Sequence, residues 1–448
     1  MPHSSSPPLL ALALLLGVLG VASAHSGPVE PTMLRARADD PTRLLMGTTF
    51  GLLTRQGADA GWDAICSEAV GYDERNNPVV HWHVDGAIFA GSLKGLFVSR
   101  DDGCSWGPVE PFSSRGATDI RNAPEDPGTL FVTTGKSGGT SNGLFRSTDG
   151  VNFTPTVLVR EELMFTGIRF APSAPQTAWV SAWWYSPTST ARLFRSIDGA
   201  ATFEELVPLT PAASGFTVLA IAPHKGDVLM AGAYDGTDYV LLRSTDGGAS
   251  FSEVARDRDL EFRDVLFSPD GQRVWAASGY RLYHSTDGGA SFARAMPPQR
   301  TGCASEIDGT LYVCGSTGID RWALSTVDGG VTAETDAGVP LERVLSFWEM
   351  RRKECPAGTP GEDVCKPLWP ALALLVGADP GELPFPTDDG GVPSEDAGVD
   401  AGPGMDAPAA PPSGCGCGSA GGIALPFLVV LLLTRGPQRR ARRLREDG

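Results

Sequence analysis

R-L-Y-H-S-T-D-G-G-A-S-F, residues 281–292, is a short alternating run that ends in a turn and an aromatic side chain. Its second half recurs along the chain. S-R-D-D-G-C-S-W stands at 99–106, S-T-D-G-V-N-F at 147–153 and S-I-D-G-A-A-T-F at 196–203. S-T-D-G-G-A-S-F stands at both 244–251 and 285–292, and T-V-D-G-G-V-T-A at 326–333. The starts lie 48, 49, 48, 41 and 41 residues apart. A repeat of that period sets the architecture before any single residue is weighed, because one such length holds one four-stranded sheet.

The residues around each copy agree. Before the first five lie G-L-F-V-S (95–99), G-L-F-R-S (143–147), R-L-F-R-S (192–196), V-L-L-R-S (240–244) and R-L-Y-H-S (281–285), all β-rich and alternating. Partner strands lie upstream at 129–134, 227–232, 273–278 and 310–315, and a further set at 167–172, 219–223 and 265–269. The unit reads strand, turn, strand, loop, strand, repeat turn, strand, which is one propeller blade. R-L-L-M-G-T-T-F-G-L-L-T-R-Q-G (43–57) mimics the two strands before a repeat turn, with Trp62 as its aromatic and Thr54 placed 45 residues before Ser99. R-V-L-S-F-W (343–348) mimics only a first strand. The expected fold is therefore all-β, a single seven-bladed β-propeller over residues 40–376. Its ring would close by strand exchange between the N- and C-terminal segments, which removes exposed sheet edges. Six and eight blades are the alternatives, since a degenerate blade is easily miscounted.

Within each repeat, Asp and Ser or Thr side chains can accept hydrogen bonds from nearby backbone N–H groups and hold a tight turn. Gly supplies the positive φ, and the closing Trp or Phe is a large plug for the seam between sheets. This pattern resembles the Asp-box, or BNR, repeat of sialidases, sortilin-type receptors, xyloglucanases and photosystem-assembly propellers, over roughly residues 40–350. The second copy is one residue short, the third has Ala200 where Gly is usual, and the sixth ends in Ala333. The resemblance implies that Asp101, Asp149, Asp198, Asp246, Asp287 and Asp328 are structural. It puts them on turns between third and fourth strands, and any binding or catalysis on the opposite face.

The ends differ from the middle. Residues 1–24 read as a secretory signal, with an apolar core from Leu9 to Val21 and a small-residue cleavage site at Ala22-Ser23-Ala24. Residues 377–414 are an acidic spacer rich in Pro, Gly and Ala, expected to be disordered because it cannot bury a core. Residues 415–448 hold Cys415 and Cys417, a short apolar run to Leu433 that is expected to form a transmembrane helix, and an Arg-rich end. That tail closely resembles the MYXO-CTERM sorting signal of myxobacterial surface proteins. The resemblance implies cleavage by a sorting protease near Cys415 or Cys417, one of which then carries an anchor; a simple single-pass tail anchor is the alternative. The expected partner is the membrane, reached through the tail or the processed anchor. The expected location is outside the cell, in the envelope at the outer-membrane surface.

A formal charge of −17 argues against nucleic acid as a partner. Eight cysteines fit an oxidising compartment. Cys303 and Cys314 are symmetric about the hairpin turn Asp308-Gly309 and would face each other. Cys355 and Cys365 close a short loop, and Cys66 and Cys104, both near repeat turns of the first two blades, pair by elimination. His81-Trp82-His83 puts two imidazoles on one side of a strand without a third ligand, so no metal and no cofactor is expected.

Candidate ligand contacts come from loops on the face opposite the repeat turns. Trp183, Trp184 and Tyr185 are three consecutive aromatics, and Tyr234 and Tyr239 bracket acids in Y-D-G-T-D-Y. Such rings hold sugars or peptides; packing between blades is the alternative. Arg121 in T-D-I-R and Arg169 in T-G-I-R lie on expected first strands, which line a propeller's channel. They either point into it or pair with acidic neighbours. A sialidase needs three arginines on a carboxylate, an acid/base Asp and a Tyr activated by Glu. The Arg-Ile-Pro signature of that family is absent, and xyloglucanases use two propellers where this chain has length for one. No catalytic residue is assigned. The reading is a surface-displayed, non-catalytic propeller that binds a glycan or protein or serves structurally; a secreted sialidase-like glycoside hydrolase is the alternative.

Overall fold

Seven antiparallel sheets follow one another along the chain, at 31–66, 79–108, 117–160, 163–206, 214–257, 262–295 and 301–346. They come from a computed structural model that describes residues 29–72, 78–136, 141–184, 190–206, 214–279, 281–295, 301–323 and 342–380. The secretory signal, Tyr185, Asp328 with its repeat, nearly all of the acidic spacer, and the tail with Cys415 and Cys417 lie outside those residues. Each sheet runs in order from its first strand to its fourth.

Position within a blade explains composition. Second strands such as Ile88–Ser92, Leu130–Thr134 and Val274–Ser278 are buried along their whole length, because each lies between two neighbouring blades. They accordingly read as unbroken runs of apolar and small residues. Outer strands such as Thr154–Arg160 and Glu204–Leu206 are largely exposed. Between blades lie seven apolar clusters, one at each seam, including one joining the first and seventh blades. The aromatics of the repeats sit in these seams. Phe153, Phe203, Phe251 and Phe292 each pack toward the preceding blade. Trp62 does the same in the seam that closes the ring, where it is buried.

The ring does not close by the expected strand exchange. Pro31–Arg37, upstream of residue 40, already fills the first-strand position of the first blade. No vacancy is left for a C-terminal strand. Glu342–Ser346 instead pairs with Gly318–Ala323 as the fourth strand of the seventh blade, the place that the order of the unit dictates. The chain then crosses to the first blade, where Arg351–Arg352 lies parallel to Trp62–Cys66 as a fifth strand. Two helices follow, Pro360–Asp363 and Cys365–Val376. Trp369, Leu372 and Ala373 of the second helix pack into the seam between the first and seventh blades. Cys365 packs into the seam between the first and second.

The cysteine pairing differs as well. Cys303 and Cys314 are joined across adjacent strands. Cys66 is bonded to Cys365, and Cys104 to Cys355, in place of the expected Cys66–Cys104 and Cys355–Cys365 bridges. The helix Pro360–Asp363 lies between Cys355 and Cys365 and directs each toward a different blade. Gly361 N donates to Cys104 O at 2.9 Å, and Lys353 N to Ala64 O at 2.9 Å, holding this segment on both blades. Loops of 299 and 251 residues are closed. In the chain-entropy account each such loop taken alone is worth about 5.5 kcal/mol, against about 3 kcal/mol for a loop as short as 355–365.

Candidate ligand-binding site

The repeat turns define the face that is already occupied by structure. In five of them the Ser hydroxyl donates to the Asp carboxylate at 2.7–2.9 Å. The same Asp then accepts backbone N–H groups further round the turn, as from Ser250 to Asp246 at 2.9 Å. The Ser250 hydroxyl and backbone draw Asp246 down to about 2, and Thr202 does the same for Asp198. Asp149 is lowered by the backbone and side chain of Asn152. These carboxylates are hydrogen-bonded turn elements.

The first strands line the central channel. Register puts their arginines one residue pair from the repeat-turn serines, as Arg121 beside the Asn122–Leu130–Ser147 level, with Tyr234 and Tyr239 toward the opposite face. At one level of the ring each second strand carries a residue packed into the seam with the following blade: Leu45, Phe89, Phe131, Trp179, Met230, Trp275 and Tyr312. Opposite them stand, in ring order, Arg35, His81, Arg121, Arg169, Ala220, Leu266 and Ser305. The first four blades thus bring three arginines and a histidine to one level. Three strands share a Thr-x-(Leu/Ile)-Arg pattern at 32–35, 118–121 and 166–169. The threonines stitch neighbouring blades: Thr118 Oγ1 donates to Phe165 O and Thr166 Oγ1 to Phe216 O, both at 2.7 Å, and Thr32 Oγ1 to Pro78 O at 3.5 Å. Each stitch sets the height of a strand and hence of its arginine.

A cavity of about 240 Å³ lies here, lined by Arg35, Arg121, Arg169, Asp119, Asp264 and the two tyrosines Tyr234 and Tyr239, among others. Asp119 sits between two arginines, 2.5 Å from Arg169 Nη1 and 3.1 Å from Arg121 Nε. Burial pushes its carboxyl up, but Arg121 and Arg169 outweigh burial and hold it below the usual range. Arg169 also donates from Nε to Leu219 O at 2.8 Å. Arg35 faces Asp264 of the sixth blade at 4.0 Å. Burial, and then the neighbouring Arg121, pull Arg35 down to about 10. Burial, His83 and Arg121 pull His81 down to about 3, so its imidazole is neutral at pH 7. His81 and His83 lie with ring centroids 6.1 Å apart, and among the described residues no group of three potential ligands surrounds them or any other point.

Of the residues singled out from sequence, Tyr234 and Tyr239 meet at 5.2 Å between ring centroids and border the cavity. The acids between them are committed elsewhere. Asp235 and Asp238 lie 2.7 Å and 2.9 Å from Arg256 Nη1. Trp183 and Trp184 end the second strand of the fourth blade, where Trp184 is 40% exposed, outside the cavity lining. Arg121 and Arg169 do both things open to them, entering the channel and pairing with an acid. Arg35 lies upstream of the expected propeller boundary at residue 40, although T-M-L-R (32–35) repeats the T-x-I-R pattern.

Fold and site together define a seven-bladed β-propeller with a charged channel mouth. Three disulfides place it in an oxidising compartment, as an exported protein. The sequence matches no family profile and no curated protein. Among solved structures it is similar to an ancestral GH74 enzyme, at 13% identity and a TM-score of 0.50, covering 68% of this chain and 45% of that one. YCF48 from Cyanidioschyzon merolae is similar at 13% identity and a TM-score of 0.43, covering 64% and 93%. YCF48 bound to D1 peptide is similar at 14% and 0.45, covering 67% and 93%. The chain thus spans less than half the length of the GH74 enzyme, and at these identities the likeness is one of fold alone.

Proposed function

We propose that this is a non-catalytic binding module of the Asp-box propeller type, displayed at the cell surface by its C-terminal tail. It receives a glycan or protein ligand at the channel mouth and the Tyr234–Tyr239 rim. The observation that carries the reading is the state of Asp119. Glycoside hydrolysis needs one carboxyl that is protonated and a second that is ionised. Asp119 is buried between Arg121 and Arg169 and kept ionised by them, which disables it as an acid. At the rim, Glu261 is paired with Arg263 at 3.0 Å. The sialidase-like reading is favoured by one observation, the convergence of three arginines on one cavity. A glycan array probed with the full chain, followed by sialidase and glucanase assays on whatever binds, separates the two. Binding without turnover is expected; turnover overturns the non-catalytic role.

A further inference from the structure

Building on the binding role above, we infer that the channel mouth takes an organic oxyanion, a carboxylate or a phosphate, whose headgroup is received by Arg35 and Arg121. Two features carry this. The first is charge. Arg35, Arg121 and Arg169 face Asp119 and Asp264, three cations against two anions. Arg263 and Glu261 cancel each other at the rim. One positive charge is left over in a partly buried cavity of a chain whose net charge is −17. A cation without a partner in such a place is costly, and an entering anion removes the cost.

The second feature is the supply of donors. Arg169 is engaged by Asp119, Leu219 O and Ile168 O. Among the described residues Arg121 donates only through Nε, to Asp119, so both of its terminal nitrogens remain for a ligand. Arg35 donates from Nη1 to Leu34 O at 2.9 Å, but its Nη2 stands 4.0 Å from Asp264, beyond hydrogen-bond reach, and remains for a ligand. The two side chains are 21% and 26% exposed, so a ligand can reach them from the mouth. Planar guanidinium forks with open terminal nitrogens suit carboxylate and phosphate oxygens. Tyr234 and Tyr239 then give the organic body of the ligand an aromatic wall. No such excess exists where Arg256 meets three carboxylates at 2.7–2.9 Å, or where Arg281 meets Asp257 and Asp259.

Isothermal titration calorimetry on the full chain at low salt tests this, with glucuronate as the carboxylate probe, glucose 6-phosphate as the phosphate probe and glucose as the neutral control. One or both anions should bind and glucose should not, and the preferred anion identifies the headgroup. Arg121→Gln should weaken binding about tenfold or more, the worth of a charge-assisted hydrogen bond, and Arg121→Lys by less. Arg121→Gln is the variant of choice because Gln Nε2 can keep the bond of Nε to Asp119 and the two lost terminal nitrogens donate to no described residue. A cooperative melting curve and an unchanged circular dichroism spectrum verify its fold, and Arg35→Gln repeats the measurement from a second blade. Failure of both anions to bind, or binding unchanged in both Gln variants, overturns the oxyanion site. A neutral array ligand that Arg121→Gln leaves bound would overturn the oxyanion site while the binding role stands. Turnover of a bound anion would keep the site and overturn the non-catalytic role.

Discussion

Gly248 stands at a φ of +92°, and a Cβ there would lie 2.5 Å from Leu193 Cδ2 of the preceding blade. The repeat turn therefore needs Gly both for its left-handed backbone and for its close approach to the neighbouring sheet. The fourth blade carries Ala200 at the same place with a φ of +69°, and its methyl joins the seam cluster with the third blade. The Asp of each turn supplies a pH dependence. Asp246 has a folded value of about 2 against an ordinary 3.8. A depressed folded value means that the stabilisation is fully present above about pH 4 and is lost as pH falls through about 2. The difference in urea midpoint between the wild type and Asp246→Asn should thus shrink as pH falls from 5 to 2. A constant difference across that range would show that the carboxylate's charge is irrelevant to the turn.

Among the elements, the segment after the seventh blade does the most for the ring. Its helix fills the last seam with Trp369 and Leu372, its short strand extends the first sheet, and its two cysteines reach back to the first two blades. Non-reducing peptide mapping should find Cys66 joined to Cys365 and Cys104 to Cys355. A Cys66→Ala/Cys365→Ala variant should lose about 2–5 kcal/mol in denaturant unfolding, the usual cost of removing a native bridge. Recovery of a Cys355–Cys365 peptide would contradict this clasp. The strands of the blades were legible because each blade repeats the same order. The clasp was not, because C-K-P-L-W-P-A-L-A-L-L-V (365–376) repeats nothing else in the chain. Its helix buries Trp369 and Leu372 only because a seam lies beneath them.

For the whole molecule, the asymmetry of the channel is the notable outcome. Arginines occupy the ring position on the first, third and fourth blades and the neutral His81 on the second, while the next three offer Ala220, Leu266 and Ser305. A ligand that enters meets the arginines on one side and, on the other, the carboxylate of Asp264 and the Glu261–Arg263 pair of the sixth blade. Delivery of that site to the cell exterior is the other half of the proposed role and depends on the tail. Replacing Cys415 and Cys417 with Ala should leave the uncleaved form in the envelope, as read by immunoblot and surface labelling. Processing and display that continue unchanged would count against the sorting role of the tail.

Sequence alone determined the repeating blade and the order of strands within it, the turns that end its third strand, and the aromatics between blades, because all of these are local and recur along the chain. Only the tertiary structure decided which cysteines meet, how the ring closes, and that Arg35 shares a cavity with Arg121, Arg169 and Asp264. Those contacts join residues up to about three hundred positions apart. Spacing along the chain carries no record of them; they exist because seven sheets arranged in a circle bring the first blade beside the last and every first strand to one axis.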